Sequence, residues 1–290
     1  MTWHLTGDLD VFESAARELV IGNPVSNTGC LTVLEALRSR GLAAFGYGTP
    51  LFGWHTDENA RATGAFVHTP PFPLLIAELP ASAAESLADT LVAAGHPVKS
   101  VNARDRDAEV FTDAWTARTG SLVRAVERQR LYRLGMLTPP HPAPVGRARF
   151  AAARDTDTLV AFLHAFRDET EQTAEDIPGI VAFKLSRGEY VVWEVDGGIV
   201  SMAAVSATVA GAARIAPVYT PPHLRRRGYA AAVTAARAAA TLKDGADTVL
   251  LFTDLANPTS NSVYQSIGFV PVEDRVIVGF PAHEDEEIPR

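Results

Sequence analysis

The sequence predicts an α/β (α+β) protein built as two similar domains, and three observations carry that reading. Helical and strand-like hydrophobic periods alternate along the whole chain. One order of elements is written twice: helices, three strands in succession, helix, strand, helix, strand. A proline-rich stretch, Pro139-Pro140-His141-Pro142-Ala143-Pro144-Val145-Gly146, lies near the midpoint of the 290 residues, and its four prolines deny both helix and strand hydrogen bonding. The expected division is therefore 1–138, a linker at 139–146, and 147–290.

In the first half, helical spacing covers Val11 to Val20 and Leu31 to Arg40, the second ending at Gly41. Strand-like runs follow at Ala43 to Gly48, Phe52 to His55, Thr63 to His68 and Pro73 to Leu79. A helix over Ala83 to Ala94 stops at Gly95, and a strand at Val98 to Asn102 leads to a helix over Ala108 to Arg118. Leu122 to Tyr132 closes the half as a strand. In the second half, helices are expected at Asp157 to Thr170 and Ile180 to Leu185, then strands at Tyr190 to Val195, Ile199 to Val209 and Ala213 to Tyr219. Asp196-Gly197-Gly198 marks a hairpin between the first two. A helix over Tyr229 to Leu242, a strand at Thr248 to Thr253, a helix over Ser260 to Ile267 and a strand at Val270 to Phe280 complete the order, before an acidic tail.

Composition bounds the function classes. The chain is 47% hydrophobic and 21% charged with a formal net charge of -8. That balance opposes a nucleic-acid partner, which needs clustered Lys and Arg to release counterions. The single cysteine, Cys30, excludes an intramolecular disulfide and suits a reducing, cytoplasmic setting, where it reads as a small apolar residue. The first ten residues have no basic-then-apolar signal pattern, and no run approaches about 18 apolar residues; Arg237 interrupts the nearest one, Ala230 to Leu242. A membrane partner is not expected. His55-Thr56-Asp57-Glu58 holds metal-ligating residue types without zinc spacing, so no metal is expected.

Chemistry concentrates at two segments of the second half. In the first, a strand is followed by Pro221-Pro222, then Arg225-Arg226-Arg227-Gly228-Tyr229-Ala230 opening an Ala-rich helix. A helix start offers free N–H groups and the positive end of the dipole, and small residues at Gly228 and Ala230 let a phosphate approach the backbone. His223, beside this loop, is a candidate phosphate contact or a plain loop residue. Neither the G-x-G-x-x-G nor the G-x-x-x-x-G-K phosphate pattern is present. In the second segment, Asp254 to Phe269, Asn257 caps a helix, Pro258 suits its first turn and Gly268 its end, while Asn257, Asn261 and Tyr264 share one edge.

Together, Arg225-x-x-Gly228-x-Ala230 and the Asn257–Phe269 segment resemble the two signature regions of the GCN5-related N-acetyltransferases, the GNAT family, over roughly Val145 to Phe280. The resemblance implies a mixed, mostly antiparallel central sheet flanked by helices in each half. It implies acetyl-CoA as co-substrate, with Val218, Tyr219 and Thr220 holding the thioester arm through their backbone. Arg225, Arg226, Arg227, Gly228, Tyr229, Ala230 and Ala231 would cradle the pyrophosphate. Asn257 and Asn261 would line the pantetheine, and Tyr264 would be the acid for the leaving thiolate. Pro217, odd in a central strand, would sit where the fourth strand of the fold splays to admit the arm.

The reaction implied is direct attack of an amine, on a small molecule or a peptide, at the thioester carbonyl. Glu194 leads as general base, with Glu169, Glu171 and Glu175 as alternatives. The first half has Leu79-Pro80-Ala81-Ser82-Ala83-Ala84-Glu85-Ser86 at the matching place, without glycine or arginine, so it reads as a degenerate copy. Phe52, Trp54, Phe72 and Trp115 are candidates for an acceptor cleft or for core. Two rival functions remain: a non-catalytic acyl-CoA sensor using the same pocket, and a nucleotide-binding regulator.

Overall fold

A computed structural model describes residues 1–46, 48–170 and 176–281. The observed element order is β1 (Thr2–Thr6), α1 (Leu9–Ile21), α2 (Thr28–Arg40), β2 (Leu51–Thr56), β3 (Ala62–His68), β4 (Leu74–Glu78), α3 (Ala84–Ala93), β5 (Ser100–Arg104), α4 (Asp105–Thr119) and β6 (Arg124–Leu134). The same order then repeats as β7 (Arg147–Phe150), α5 (Thr156–Glu169), α6 (Ile177–Ser186), β8 (Tyr190–Val195), β9 (Gly198–Val205), β10 (Ala212–Tyr219), α7 (Tyr229–Lys243), β11 (Thr248–Asp254), α8 (Pro258–Ser266) and β12 (Phe269–Gly279). Two of these strands, β1 and β7, have no counterpart in the sequence reading. Conversely, the strand expected at Ala43 to Gly48 is a turn over its described part: Ala44 N–H bonds Gly41 and Gly46 N–H bonds Ala43, which closes a local loop instead of a ladder.

The described residues group into two compact units. One is Met1–Arg130 together with the chain from Glu273 onward; the other is Leu131–Val272. The proline segment 139–146 lies within the second range. In the first unit the strand order is β1-β2-β3-β4-β5-β12, antiparallel except for the β4–β5 pair. Its core gathers Phe66, Leu74, Ile76, Leu87, Leu91 and Phe111, all buried. Phe52 and Trp115 are core residues as well, which removes them from any cleft. Trp54 is part-buried and stacks on His4 at 5.0 Å. Phe72 is part-buried and meets Phe45 edge-on at 5.8 Å.

Arg275 is the polar pin of this unit. It is only 6% exposed, and it donates to the carbonyls of Ile76 (2.9 Å) and Asn102 (3.3 Å) and to Asn102 Oδ1 (3.1 Å). A buried charge is tolerated only when its donors are used in this way. The pin fastens β12 across β5 and β4, in the register Arg275↔Arg104 to Gly279↔Ser100.

In the second unit the order is β6-β11-β10-β9-β8-β7, β6 entering at Leu131. Strand alternation sends side chains to two cores. Val191, Trp193, Ala203, Val205, Ala213 and Ile215 face α7, whose Ala232, Val233, Ala235 and Ala238 let the helix lie close. Tyr190, Val192, Met202, Ala204 and Tyr219 face α5 and α6 through Leu159, Leu163, Ile177 and Val181. Arg237, which breaks the apolar run of α7, is 2% exposed and donates to the Gly188 carbonyl at 3.0 Å, tying the helix to the turn before β8.

Candidate active site

The site is built where β10 leaves β11. The two strands pair in parallel at Ala212↔Thr248, Ala213↔Val249 and Arg214↔Leu250, and there the ladder ends. Each strand runs on, β10 to Tyr219 and β11 to Asp254, without pairing further with the other. On its other edge β10 pairs with β9, with a register irregularity between Ile215 and Val218 that contains Pro217. A proline costs no hydrogen bond at such an interruption. The Tyr219 carbonyl faces β9, where Ser201 Oγ donates to it at 3.0 Å. Successive residues of a strand face opposite edges, so Val218 presents its N–H and C=O to the opening.

Immediately beyond, a 3-10 turn at Pro222–Leu224 leads into the arginine loop. Arg226 (φ 63°) and Gly228 (φ 82°) are both left-handed. This geometry turns successive N–H groups toward one side, as in an anion-binding nest. Among the described residues, the amides of Arg226, Arg227, Gly228, Tyr229, Ala230 and Ala231 have no hydrogen-bond acceptor; the first α7 amide bonded back is Ala232, to Gly228. Residues 225–228 are exposed. Six open amides at a helix start, carrying the positive end of its dipole and flanked by the Arg226 and Arg227 side chains, make a ready place for an anion.

Arg225 is arranged differently from its neighbours. Its own amide bonds Pro222, its Nε donates to the Thr220 carbonyl at 2.9 Å, and its Nη2 donates to Glu169 at 2.7 and 2.5 Å. Its backbone amide, Nε and Nη2 are thus engaged within the chain, whereas the resemblance implies a place for Arg225 in the pyrophosphate cradle. Among the described residues, the Arg227 side chain makes one long hydrogen bond, to the His223 carbonyl (3.4 Å).

The far wall is α8. Asn257 caps it, accepting from Ser260 N–H at 3.0 Å, and leaves its own amide NH2 without a partner among the described residues. Both Nδ2 donors of Asn261 are used, on the carbonyls of Asp254 (2.9 Å) and Asn257 (2.8 Å), and its Oδ1 accepts from Tyr132 (2.9 Å). It braces α8 against the end of β11 and has only the second lone pair of Oδ1 left for a ligand. Tyr264 packs edge-on against Phe269 with ring centres 6.2 Å apart. It keeps some accessible surface, yet the surroundings of its hydroxyl desolvate it and push the phenol up to about 12. No hydrogen bond to that hydroxyl exists among the described residues.

Glu194 does not suit the base role. Arg149 Nε holds one carboxylate oxygen at 2.5 Å and Arg147 Nη2 the other at 3.1 Å, both from the neighbouring β7. These hydrogen bonds hold its carboxyl below the ordinary range. Glu169 is likewise held, by Arg225 and by the Tyr219 hydroxyl at 3.3 Å. Glu171 and Glu175 lie outside the described residues. No group of three or more His, Cys, Asp or Glu that would hold a metal exists among the described residues, and none of their helices is long and apolar enough to cross a membrane.

The first unit differs at the corresponding point. Its β4–β5 ladder also ends early, at Leu75↔Asn102, but Glu78 and Arg104 are joined beyond it at 2.6 Å. The α3 start that follows carries Glu85, paired with Arg118 at 3.1 Å.

Residues 138–269 match the model of the acetyltransferase (GNAT) family. This segment is a GNAT domain. The structure is similar to an acetyltransferase of the GNAT family from Colwellia psychrerythraea (12% identity, 97% of this chain and 100% of that chain covered, TM-score 0.62). It is also similar to a GCN5-related N-acetyltransferase from Sphaerobacter thermophilus (16% identity, 95% and 94% covered, TM-score 0.62). A third similar structure is a fungal multi-domain GH3 β-N-acetylglucosaminidase described as containing a GCN5-related glucosamine N-acetyltransferase region (11% identity, 96% and 38% covered, TM-score 0.59). At these identities the likeness is one of fold: a mixed, mostly antiparallel sheet flanked by helices. No curated protein matches the sequence. Within the GNAT domain, the sequence reading did not find the Arg147–Glu194–Arg149 cluster, because β7 was not recognised and its arginines had no assigned neighbour.

Proposed function

We propose that the GNAT domain is an N-acetyltransferase that moves an acetyl group from acetyl-CoA to an amine of a small-molecule or peptide acceptor. The observation that carries the reading is the set of open amides, Arg226 to Ala231, at the mouth of the parting between β10 and β11. A pyrophosphate set on those amides points its pantetheine arm into the parting, where the Val218 backbone offers the donor and acceptor an amide-bearing arm needs. Asn257 has the free amide to line that arm.

In this reading the acceptor nitrogen attacks the thioester carbon, the C–S bond breaks, and the electron pair leaves on sulfur. Tyr264 stands as the hydrogen-bond donor to that sulfur. A phenol pushed up to about 12 holds its proton against a thiolate whose conjugate acid is near 8.5. Tyr264 therefore stabilises the leaving charge without surrendering its proton, and the thiolate is protonated when it meets solvent. The attacking amine loses its proton to water, since the described carboxylates Glu194 and Glu169 are both neutralised by arginine.

The two units read as copies of one domain, supported by the repeated element order. With Glu78 and Arg104 joined across its opening, the first is read as a copy that binds no cofactor. A cytoplasmic location agrees with a chain that holds a single cysteine and so forms no disulfide within itself.

The test is turnover of acetyl-CoA with a panel of amines that includes amino sugars, amino acids and peptide N-termini, following both thiol release and acetylated product. Product with at least one amine is the expected result. Tight CoA binding with no product across the panel overturns the enzyme reading in favour of an acyl-CoA sensor. Weaker binding of CoA than of NAD or ATP overturns both.

A further inference from the structure

We propose that Arg225 is a strut and not a phosphate ligand: it holds Glu169, the last residue of α5, against the end of β10 and thereby sets the strand end that receives the thioester arm. The proposal rests on the acetyl-CoA reading above.

The bonds around Arg225 make one connected chain. Arg225 Nε donates to the Thr220 carbonyl (2.9 Å) and Nη2 to both oxygens of Glu169 (2.7 and 2.5 Å). Tyr219, the last residue of β10, donates its hydroxyl to the same Glu169 at 3.3 Å, and the guanidinium carbon sits 5.8 Å from the Tyr219 ring centre. From the other side Ser201, which is fully buried, donates to the Tyr219 carbonyl (3.0 Å) and meets Thr220 Oγ1 at 2.8 Å. Ser201 has one proton, already given to that carbonyl, so Thr220 is the donor in their pair. The carbonyls of Tyr219 and Thr220 are thus both committed, one to Ser201 and one to Arg225. The strand end is fixed on both flanks while Val218, one residue earlier, stays open.

Electrostatics agree with this division of labour. Glu169 neutralises Arg225, so a pyrophosphate on the open amides meets the positive charge of Arg226, Arg227 and the α7 dipole. Nε and Nη2 of Arg225 are committed to Thr220 and Glu169, which leaves only Nη1 without a partner among the described residues; turning the whole fork to a phosphate would break three bonds for oxygens that offer no better acceptor than the carboxylate does. The pair is also half exposed, 44% for Arg225 and 40% for Glu169. Such pairs add little to stability, so removing one is not expected to unfold the chain, and its effect is legible in binding.

The experiment measures CoA affinity by calorimetry, as a function of salt, for the full chain and for Arg225→Gln, Glu169→Gln, the double variant, Arg226→Gln and Arg227→Gln. A strut predicts that Arg225→Gln and Glu169→Gln each weaken CoA by about three- to tenfold and that the double variant is no worse than the weaker single one. It predicts that Arg225→Gln keeps the salt dependence while Arg226→Gln and Arg227→Gln flatten it. The opposite sign for Glu169→Gln, tighter binding because Arg225 has been released to the phosphates, overturns the strut. So does a flattened salt dependence in Arg225→Gln, or additive loss in the double variant. If the unsubstituted chain does not bind CoA, the cofactor reading fails first, and the strut with it.

Discussion

Tyr264→Phe separates stability from function at a single oxygen atom. The ring of Tyr264 packs on Phe269, and phenylalanine keeps that packing. The hydroxyl makes no hydrogen bond among the described residues, and its surroundings push the phenol up to about 12. The hydroxyl oxygen keeps accessible surface, so water can satisfy it and folding carries only part of the cost of an unbonded buried hydroxyl, about 1–3 kcal/mol when burial is complete. Because Tyr264 retains some surface, the expected effect of the substitution is a gain of about 0–1 kcal/mol in unfolding free energy. CoA affinity stays within about twofold, since the open amides and the Val218 backbone are untouched. Turnover falls by about 10²-fold, the lower end of the range for a positioned proton donor, because the phenol stabilises the thiolate by hydrogen bonding alone. The assays are urea unfolding, calorimetric CoA binding and steady-state thiol release. Destabilisation by more than about 1 kcal/mol with a matching loss of CoA affinity would show that the hydroxyl is structural. Unchanged turnover would remove Tyr264 from the chemistry.

Four further outcomes are expected. Glu194→Gln lowers the thermal midpoint by loosening the β7–β8 cluster but leaves turnover within about twofold; a large loss of turnover with intact stability restores it as a base. Gly268→Ala destabilises by at least about 3 kcal/mol, because φ is 100° there and a Cβ would lie 1.9 Å from the Met136 carbonyl oxygen; a wild-type melting curve refutes this. His68 is buried, its Nε2 bonded to the Phe72 carbonyl and its Nδ1 2.6 Å from His96, and burial lowers it to about 4. A base depressed in the fold contributes stability that is complete above its unfolded value near 6.5 and is lost as pH falls toward 4, about 2 kcal/mol by pH 5; urea midpoints at pH 7 and 5, with His68→Gln as control, measure it, and an equal pH dependence in the control refutes the assignment. The full chain binds one CoA, read as the calorimetric stoichiometry, and a second equivalent would mean that the Glu78–Arg104 pair opens.

Much of the fold was legible, and the failures share a cause. β8 lies over Tyr190–Val195 as its valine-rich, tyrosine-led run predicts, and Asn257, Pro258 and Gly268 begin and end α8 as their backbone preferences require. Local chemistry writes such features into adjacent residues. The missed strands β1 and β7 pair along one edge only and are four or five residues long, too short and too polar to show a period. Missing β7 made Glu194 look free, since Arg147 and Arg149 are its neighbours only across the ladder. The three consecutive arginines look interchangeable in sequence. What sets Arg225 apart is Glu169, on a helix that ends well before β8 begins, and no local pattern reports that contact.

The pinning of β12 by Arg275 has a consequence for biosynthesis. The second unit is one unbroken segment, Leu131–Val272, whereas the first unit takes its last strand from the chain beyond it. A nascent chain emerging amino end first thus completes its later-made unit before its earlier-made one. Until Arg275 to Gly279 leave the ribosome, Ser100–Arg104 waits with a bare backbone edge, and such edges recruit other chains. A stop just short of Glu273 would therefore release a molecule whose second unit, Leu131–Val272, is present in full and whose amino-terminal unit is the aggregation hazard.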